Sequence, residues 1–180
     1  HATIRRQRQM CIRDRSTIGK KDRKILSSED VKNKKIESFS FSQDKKNVLI
    51  FTNSVRVWRY NTRGNYWVYN LKTKQGKRLG STLPDRSLMF AKFSPNGKKI
   101  AYVSKEIIPN SFRNSSTRAN IYLETVEGNS IVKLTESDEK GKIINGTFDW
   151  VYEEEFSCRD GFLFNDLSLI HISEPTRHRR

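Results

Sequence analysis

The chain has 180 residues, enough for one ordinary domain with its own core, and 34% hydrophobic with 11% aromatic residues excludes a purely solvating, disordered polymer. A formal charge of +15 directs attention to anionic partners, yet no apolar run approaches the ~20 residues a membrane-spanning helix needs. The excess is uneven: residues 1–15 carry +4 and residues 166–180 carry +1, leaving +10 in residues 16–165.

From the N-terminus, the first segment is one to set aside. Met10-Cys11-Ile12-Arg13-Asp14-Arg15, and near the other end the run from Leu167 through His171, Glu174 and Pro175 to Arg177, resemble peptides found at the edges of metagenomic reading frames where sequencing-adapter DNA has been translated. Residues 1–15 and 166–180 are therefore read as artefact tails, and residues 16–165 as the body, a fragment truncated at both ends. His1, His171, His178 and Cys11 all fall in the tails, so the body has no histidine and only Cys158 as a thiol. That inventory excludes a Ser-His-Asp or Cys-His site, a His/Cys zinc site and an internal disulfide within the body. No metal or cofactor is expected.

The body holds an internal repeat. Phe41-Ser42-Gln43-Asp44-Lys45-Lys46-Asn47-Val48 matches Phe93-Ser94-Pro95-Asn96-Gly97-Lys98-Lys99-Ile100 at an offset of 52 residues. Each segment reads as strand, polar turn, strand, with Asn96-Gly97 the stronger hairpin signal and Asp44-Lys45 its counterpart. An aromatic-rich strand comes next in each unit (Tyr66–Leu71, Asn120–Glu124), then a turn at Lys74-Gln75-Gly76 or Glu127-Gly128-Asn129, then a last strand ending near Leu79 or Thr135. Four short strands in about 40 to 50 residues is the period of a propeller blade. The predicted fold is all-β: a partial β-propeller of about two four-stranded blades plus the start of a third at Phe162-Leu163-Phe164. A sandwich of unrelated hairpins would not share one offset.

Within the first unit, Val57-Trp58-Arg59-Tyr60 with Arg63, Tyr66 and Trp67 sets arginine among aromatics, a pattern that suits single-stranded nucleic acid. The plainer reading places Trp67 and Tyr69 in the core and leaves Arg56 and Arg63 solvated, while an arginine can also bind a substrate carbonyl. Asn114-Ser115-Ser116 and Asn145-Gly146-Thr147 fit a glycosylation acceptor, although Asn145-Gly146 reads better as a turn delivering the chain to the Asp149 segment.

That segment, Asp149-Trp150-Val151-Tyr152-Glu153-Glu154-Glu155-Phe156, sets three adjacent carboxylates among aromatics in a basic chain. Charge runs are generally solvated faces, but Trp150, Tyr152 and Phe156 are too apolar for a freely solvated tract. As a short helical insertion, the segment would set Glu154 and Glu155 about 100° apart, able to lean toward one cavity and hold a primary ammonium. The run lacks the spaced Asp/Asn/Gly ligands of a calcium loop.

On these motifs, above all Asn145-Gly146-Thr147-Phe148-Asp149-Trp150-Val151-Tyr152-Glu153-Glu154-Glu155, with Trp58-Arg59-Tyr60 and the Phe93–Lys99 blade motif, the body resembles the N-terminal β-propeller of the dipeptidyl peptidase IV family of prolyl oligopeptidase-type serine peptidases. The resemblance runs from about Ile25 to Phe164. It implies that Glu154 and Glu155 grip the α-ammonium of a peptide and that Arg59 contacts a substrate backbone carbonyl. It further implies a parent enzyme that removes N-terminal dipeptides of the Xaa-Pro or Xaa-Ala type. The Ser-Asp-His triad would lie in a C-terminal α/β-hydrolase domain absent from this chain. Peptides with a free amino terminus and that hydrolase domain are the implied partners, with no nucleic acid; a homodimer and an extracytoplasmic location rest on resemblance alone. The alternative is a non-catalytic binding propeller, either an inactive relative or a basic nucleic-acid-binding surface. Ser157-Cys158 after Phe156, and the basic Asn61-Thr62-Arg63, depart from the family's pattern without touching Glu154, Glu155 or Arg59.

Overall fold

The computed structural model describes residues 11–15, 22–31, 35–57, 60–107, 117–137, 143–167, 170–173 and 176–177. A hairpin of β1 (Cys11–Arg15) and β2 (Asp22–Ser27) comes first, so a segment read from sequence as a tail pairs with the body. Two antiparallel four-stranded meanders come next. The first is β3 (Ile36–Phe41), β4 (Asn47–Val57), β5 (Tyr60–Asn70) and β6 (Gly76–Arg78). The second is β7 (Leu88–Phe93), β8 (Lys99–Ile107), β9 (Thr117–Thr125) and β10 (Ile131–Lys133). Each is a propeller blade, and the two are joined at the single ladder pair Gly64↔Leu88.

The repeat seen in sequence is a repeat of structure. β3 and β7 begin 52 residues apart, as do β4 and β8, whereas β6 and β10 begin 55 apart. The extra length enters between the second and third strands, where the ladder closes at Val57↔Tyr60 in the first blade and at Ile107↔Thr117 in the second. The turns before β4 and β8 are built alike. The buried Ser42 hydroxyl lies 2.7 Å from Asp44 Oδ1 and accepts the Asn47 N–H at 3.0 Å; Ser94 lies 2.8 Å from Asn96 Oδ1 and accepts the Lys99 N–H at 3.0 Å. Both turns need a left-handed residue, supplied by Lys45 (φ 55°) in one and Gly97 (φ 69°) in the other.

Alternation along the strands sends side chains to both faces of each blade, and both faces are covered. Val48, Ile50, Trp67 and Tyr69 pack with Ile12 and Leu26 of the N-terminal hairpin. Leu49, Val68 and Leu79 meet Leu88, Ile100, Tyr102 and Tyr122 between the blades. Met89, Ala101, Val103, Ala119 and Ile121 on the far face of the second blade are capped by Phe162. Burying a large apolar side chain contributes roughly 1.5–3 kcal/mol, so these layers, rather than the one ladder pair, hold the blades together.

A buried polar clamp fixes the blades in register. Glu124 of β9 is 3% exposed; its carboxylate accepts from the Tyr102 hydroxyl at 2.9 Å and the Gly80 N–H at 3.0 Å, and it pairs with Lys77 of β6 at 3.0 Å. Burial first, then the Glu124 charge, pushes the Tyr102 phenol pKa well upward. Beyond β10 come β11 (Ile143–Ile144), a helix α1 (Trp150–Phe156), β12 (Phe162–Phe164), β13 (Ile170–Ile172) and β14 (Thr176–Arg177). β12, read from sequence as the start of a third blade, pairs with β13, and β11 pairs with β14, so parts of the C-terminal segment read as a tail also pair with the body.

Candidate functional site

The acidic run lies on α1, which is an excursion from the edge of the second blade. Its neck is pinned from both sides: Thr147 and Asp160 form a β-bridge, and the Gly161 N–H donates to Gly146 O at 3.0 Å. Asp160 is tied down in turn by Lys92 of β7 at 2.8 Å, whose ammonium also sits 4.4 Å from the Phe162 ring centroid. Upstream, Asn145 is 5% exposed; its N–H donates to Ala119 O at 3.1 Å and its amide to Asn120 Oδ1 at 3.1 Å. Engaged and buried, that side chain fixes the turn that delivers the chain to the Asp149 segment. Gly146 (φ 74°) then turns the chain over Val103 and Ile121, where an added Cβ would sit 2.6 Å from Val103 Cγ2.

Local chemistry explains why the next residues form a helix. Asp149 is the N-cap, in extended backbone, and its Oδ1 accepts from the Val151 and Tyr152 N–H groups at 3.0 and 3.1 Å. Ser157 ends the helix in the left-handed conformation (φ 55°), and the Cys158 N–H donates back to Tyr152 O at 3.1 Å. Phe148, Tyr152 and Phe156, four residues apart, form a ladder with ring centroids 5.8 and 5.7 Å apart.

The three carboxylates have different surroundings. Glu153 is half-buried, whereas Glu154 and Glu155 are exposed. Successive helical residues turn by about 100°, so the two exposed glutamates form one broad acidic edge. Trp58 and Arg59 lie outside the described residues. Their described neighbours, Val57 and Tyr60, close the β4–β5 ladder at the same end of the blades at which Ala119 and Asn120 anchor the root of α1. Arg63 departs from the solvated reading: its Nε is buried without a hydrogen-bond partner.

Sequence reasoning missed Lys105 of β8. This half-buried ammonium has its pKa pushed down by burial first and by the Arg63 charge second, with Glu153 acting in the opposite direction. It also missed the neck, whose signal was present as glycines at 146 and 161 on either side of the acidic run. Among the described residues no group of three or more His, Cys, Asp or Glu side chains is placed to hold a metal ion. Likewise, no helix among them is long and apolar enough to cross a membrane.

Fold and site together define a pair of propeller blades carrying a necked, glutamate-rich helix. Residues 42–168 match the family described as the dipeptidyl peptidase IV (DPP IV) N-terminal region, and the chain belongs to that family. It is 33% identical over 131 residues to prolyl endopeptidase FAP of Homo sapiens, covering 73% of this chain and 15% of that protein. It is likewise 33% identical over 120 residues to dipeptidyl aminopeptidase B of Saccharomyces cerevisiae, covering 67% of this chain and 12% of the relative. The chain thus spans less than a sixth of these relatives. Among solved structures, dipeptidyl peptidase 4 of Porphyromonas gingivalis superposes with a TM-score of 0.64 at 20% identity, over 87% of this chain and 23% of that one, a likeness of fold.

Proposed function

We propose that residues 16–165 belong to the substrate-gating propeller of a serine-type exopeptidase that removes Xaa-Pro or Xaa-Ala dipeptides from free peptide amino termini. Glu154 and Glu155 hold the α-ammonium, and Arg59 takes a substrate backbone carbonyl. The observation that carries the reading is a capped helix, fixed at its neck, that displays two adjacent exposed carboxylates in a chain of the DPP IV N-terminal family. Adjacent carboxylates suit an ammonium with three donors, through charge-assisted hydrogen bonds. A fixed anchor for the amino terminus sets which peptide bond reaches the nucleophile, and so acts as a ruler. The chemical step falls to a C-terminal α/β-hydrolase domain of the parent protein, outside this chain, and needs no cofactor. The family further supports an extracytoplasmic, homodimeric parent, with the segments 1–15 and 166–180 outside the working unit.

The test is mutational, in the complete parent enzyme. Truncating one partner of a desolvated charge pair costs about 2–5 kcal/mol, so Glu154→Ala or Glu155→Ala should each lower kcat/KM by about 30-fold to several thousand-fold on a peptide with a free amino terminus. Unchanged kcat/KM in both variants refutes the role.

A further inference from the structure

We infer that Lys92 of β7 is a positioning residue that holds the returning limb of the excursion and so fixes the angle at which α1 presents Glu154 and Glu155. This role deepens the ammonium-binding reading and rests on it.

A bulge turns Lys92 to the right face. β7 and β8 pair as Met89↔Val103 and then as Lys92↔Ala101, a step of three residues on β7 against two on β8. The extra residue falls at Phe90 and Ala91, where Phe90 is left-handed (φ 56°), a costly conformation for a bulky side chain. In a regular strand Met89 and Lys92 would point to opposite faces. With the bulge, Lys92 shares the face of Met89, Ala101 and Val103, the one that Phe162 caps.

The excursion crosses that face from edge to edge. It leaves from β9, where Ile144 pairs with Ala119 and the Asn145 N–H donates to Ala119 O at 3.1 Å. Gly146 passes over Val103 of β8, and α1 follows. The returning limb then reaches β7, where the Lys92 ammonium donates to Asp160 Oδ2 and to Phe162 O, each at 2.8 Å, and lies 4.4 Å from the Phe162 ring centroid. Neighbouring strands are about 4.8 Å apart, so the anchors on β9 and β7 stand roughly 10 Å apart. One anchor leaves a swivel; two so separated set a direction. The Thr147–Asp160 bridge carries the constraint to the limb entering the helix, which begins three residues later at Trp150.

The Lys92–Asp160 pair is part-exposed, its side chains 31% and 37% accessible, so it adds little to overall stability and its effect falls on orientation. Charge, rather than chain length, is what the contact needs: an arginine at this position could pair with Asp160 and lie over the Phe162 ring as well.

The experiment compares Lys92→Met, Lys92→Arg and Glu154→Ala in the complete parent enzyme, measuring kcat, KM and Tm on a peptide with a free amino terminus. Lys92→Met is expected to raise KM about three- to tenfold, with kcat changed less than about twofold and Tm moved by less than about 2 °C. Lys92→Arg should return KM to within about twofold of the parent. An unchanged KM in Lys92→Met, while Glu154→Ala still lowers kcat/KM, overturns the inference and leaves the ammonium-binding reading standing. Lys92→Arg as damaging as Lys92→Met overturns it too. So does a fall in kcat matching the rise in KM with Tm lowered by more than about 5 °C, the mark of a contact that serves stability alone. Glu154→Ala leaving kcat/KM unchanged sinks the ammonium-binding reading, and this role with it.

Discussion

Gly146→Ala perturbs the root of α1 by a single methyl group. The residue has φ 74°, and the new Cβ would lie 2.6 Å from Val103 Cγ2 and 2.7 Å from Ile121 Cγ1. Both neighbours are fully buried, at 0% exposure, so neither can swing into solvent to make room. Left-handed backbone costs an L-residue about 1 kcal/mol at the least, and overpacking a filled core adds about 1–3 kcal/mol, giving about 2–4 kcal/mol in all. Gly128→Ala is the control. Gly128 also has positive φ (90°), but its nearest neighbour would be Thr125 Oγ1 at 3.7 Å, leaving only the backbone cost. The assay is hydrogen–deuterium exchange in the complete parent protein, read at the Asn145 and Gly161 amides, which bond to Ala119 O and Gly146 O. Where opening is fast relative to exchange, 2–4 kcal/mol speeds these amides about 30- to 1000-fold, whereas Gly128→Ala leaves them unchanged. Equal acceleration in the two variants, or none in Gly146→Ala, would refute the steric account.

Three further expectations concern the blades. Lys45→Gly relieves a left-handed lysine in the turn matched by Gly97, and should stabilise by about 0.5 kcal/mol after glycine's extra unfolded-chain entropy is deducted; a lower urea midpoint contradicts this. Glu124→Leu leaves the Tyr102 hydroxyl and Gly80 N–H without their acceptor, for a loss of about 2–5 kcal/mol, while the Lys77 ammonium keeps the Thr125 and Gly128 carbonyls; Glu124→Gln is milder. Calorimetry on the parent protein checks the order, and equal Tm values for the two variants count against the clamp. Finally, burial pushes the Tyr66 phenol pKa up to about 12, and those of Tyr69, Tyr102 and Tyr122 upward as well. The unfolded chain releases these protons near pH 10 while the fold retains them. Their contribution to stability is therefore whole below pH 10 and is lost as pH rises from there toward 12. Tyrosinate absorbance from all six tyrosines of the chain appearing near pH 10, with the circular dichroism spectrum unaltered, would show these phenols to be ordinary.

Much of the fold was legible because it is local. The turns at Ser42–Asn47 and Ser94–Lys99 are closed by side chains within five residues, so matching residues at an offset of 52 give matching turns and set four-stranded units on either side. The Asp149 cap and the four-residue spacing of Phe148, Tyr152 and Phe156 likewise encode a short helix within their own segment. Those features, with the absence of histidine from residues 16–165, sufficed to set the class of fold and the acidic run as the candidate site. Tertiary structure decided the rest. The seat of α1 depends on Gly146 crossing Val103 and on Lys92 reaching Asp160, 68 residues later in the chain. The Glu124–Lys77 clamp spans two blades. None of these pairings has a signature of spacing, since burial and long-range register, fixed only when the layers close, determine which charges meet.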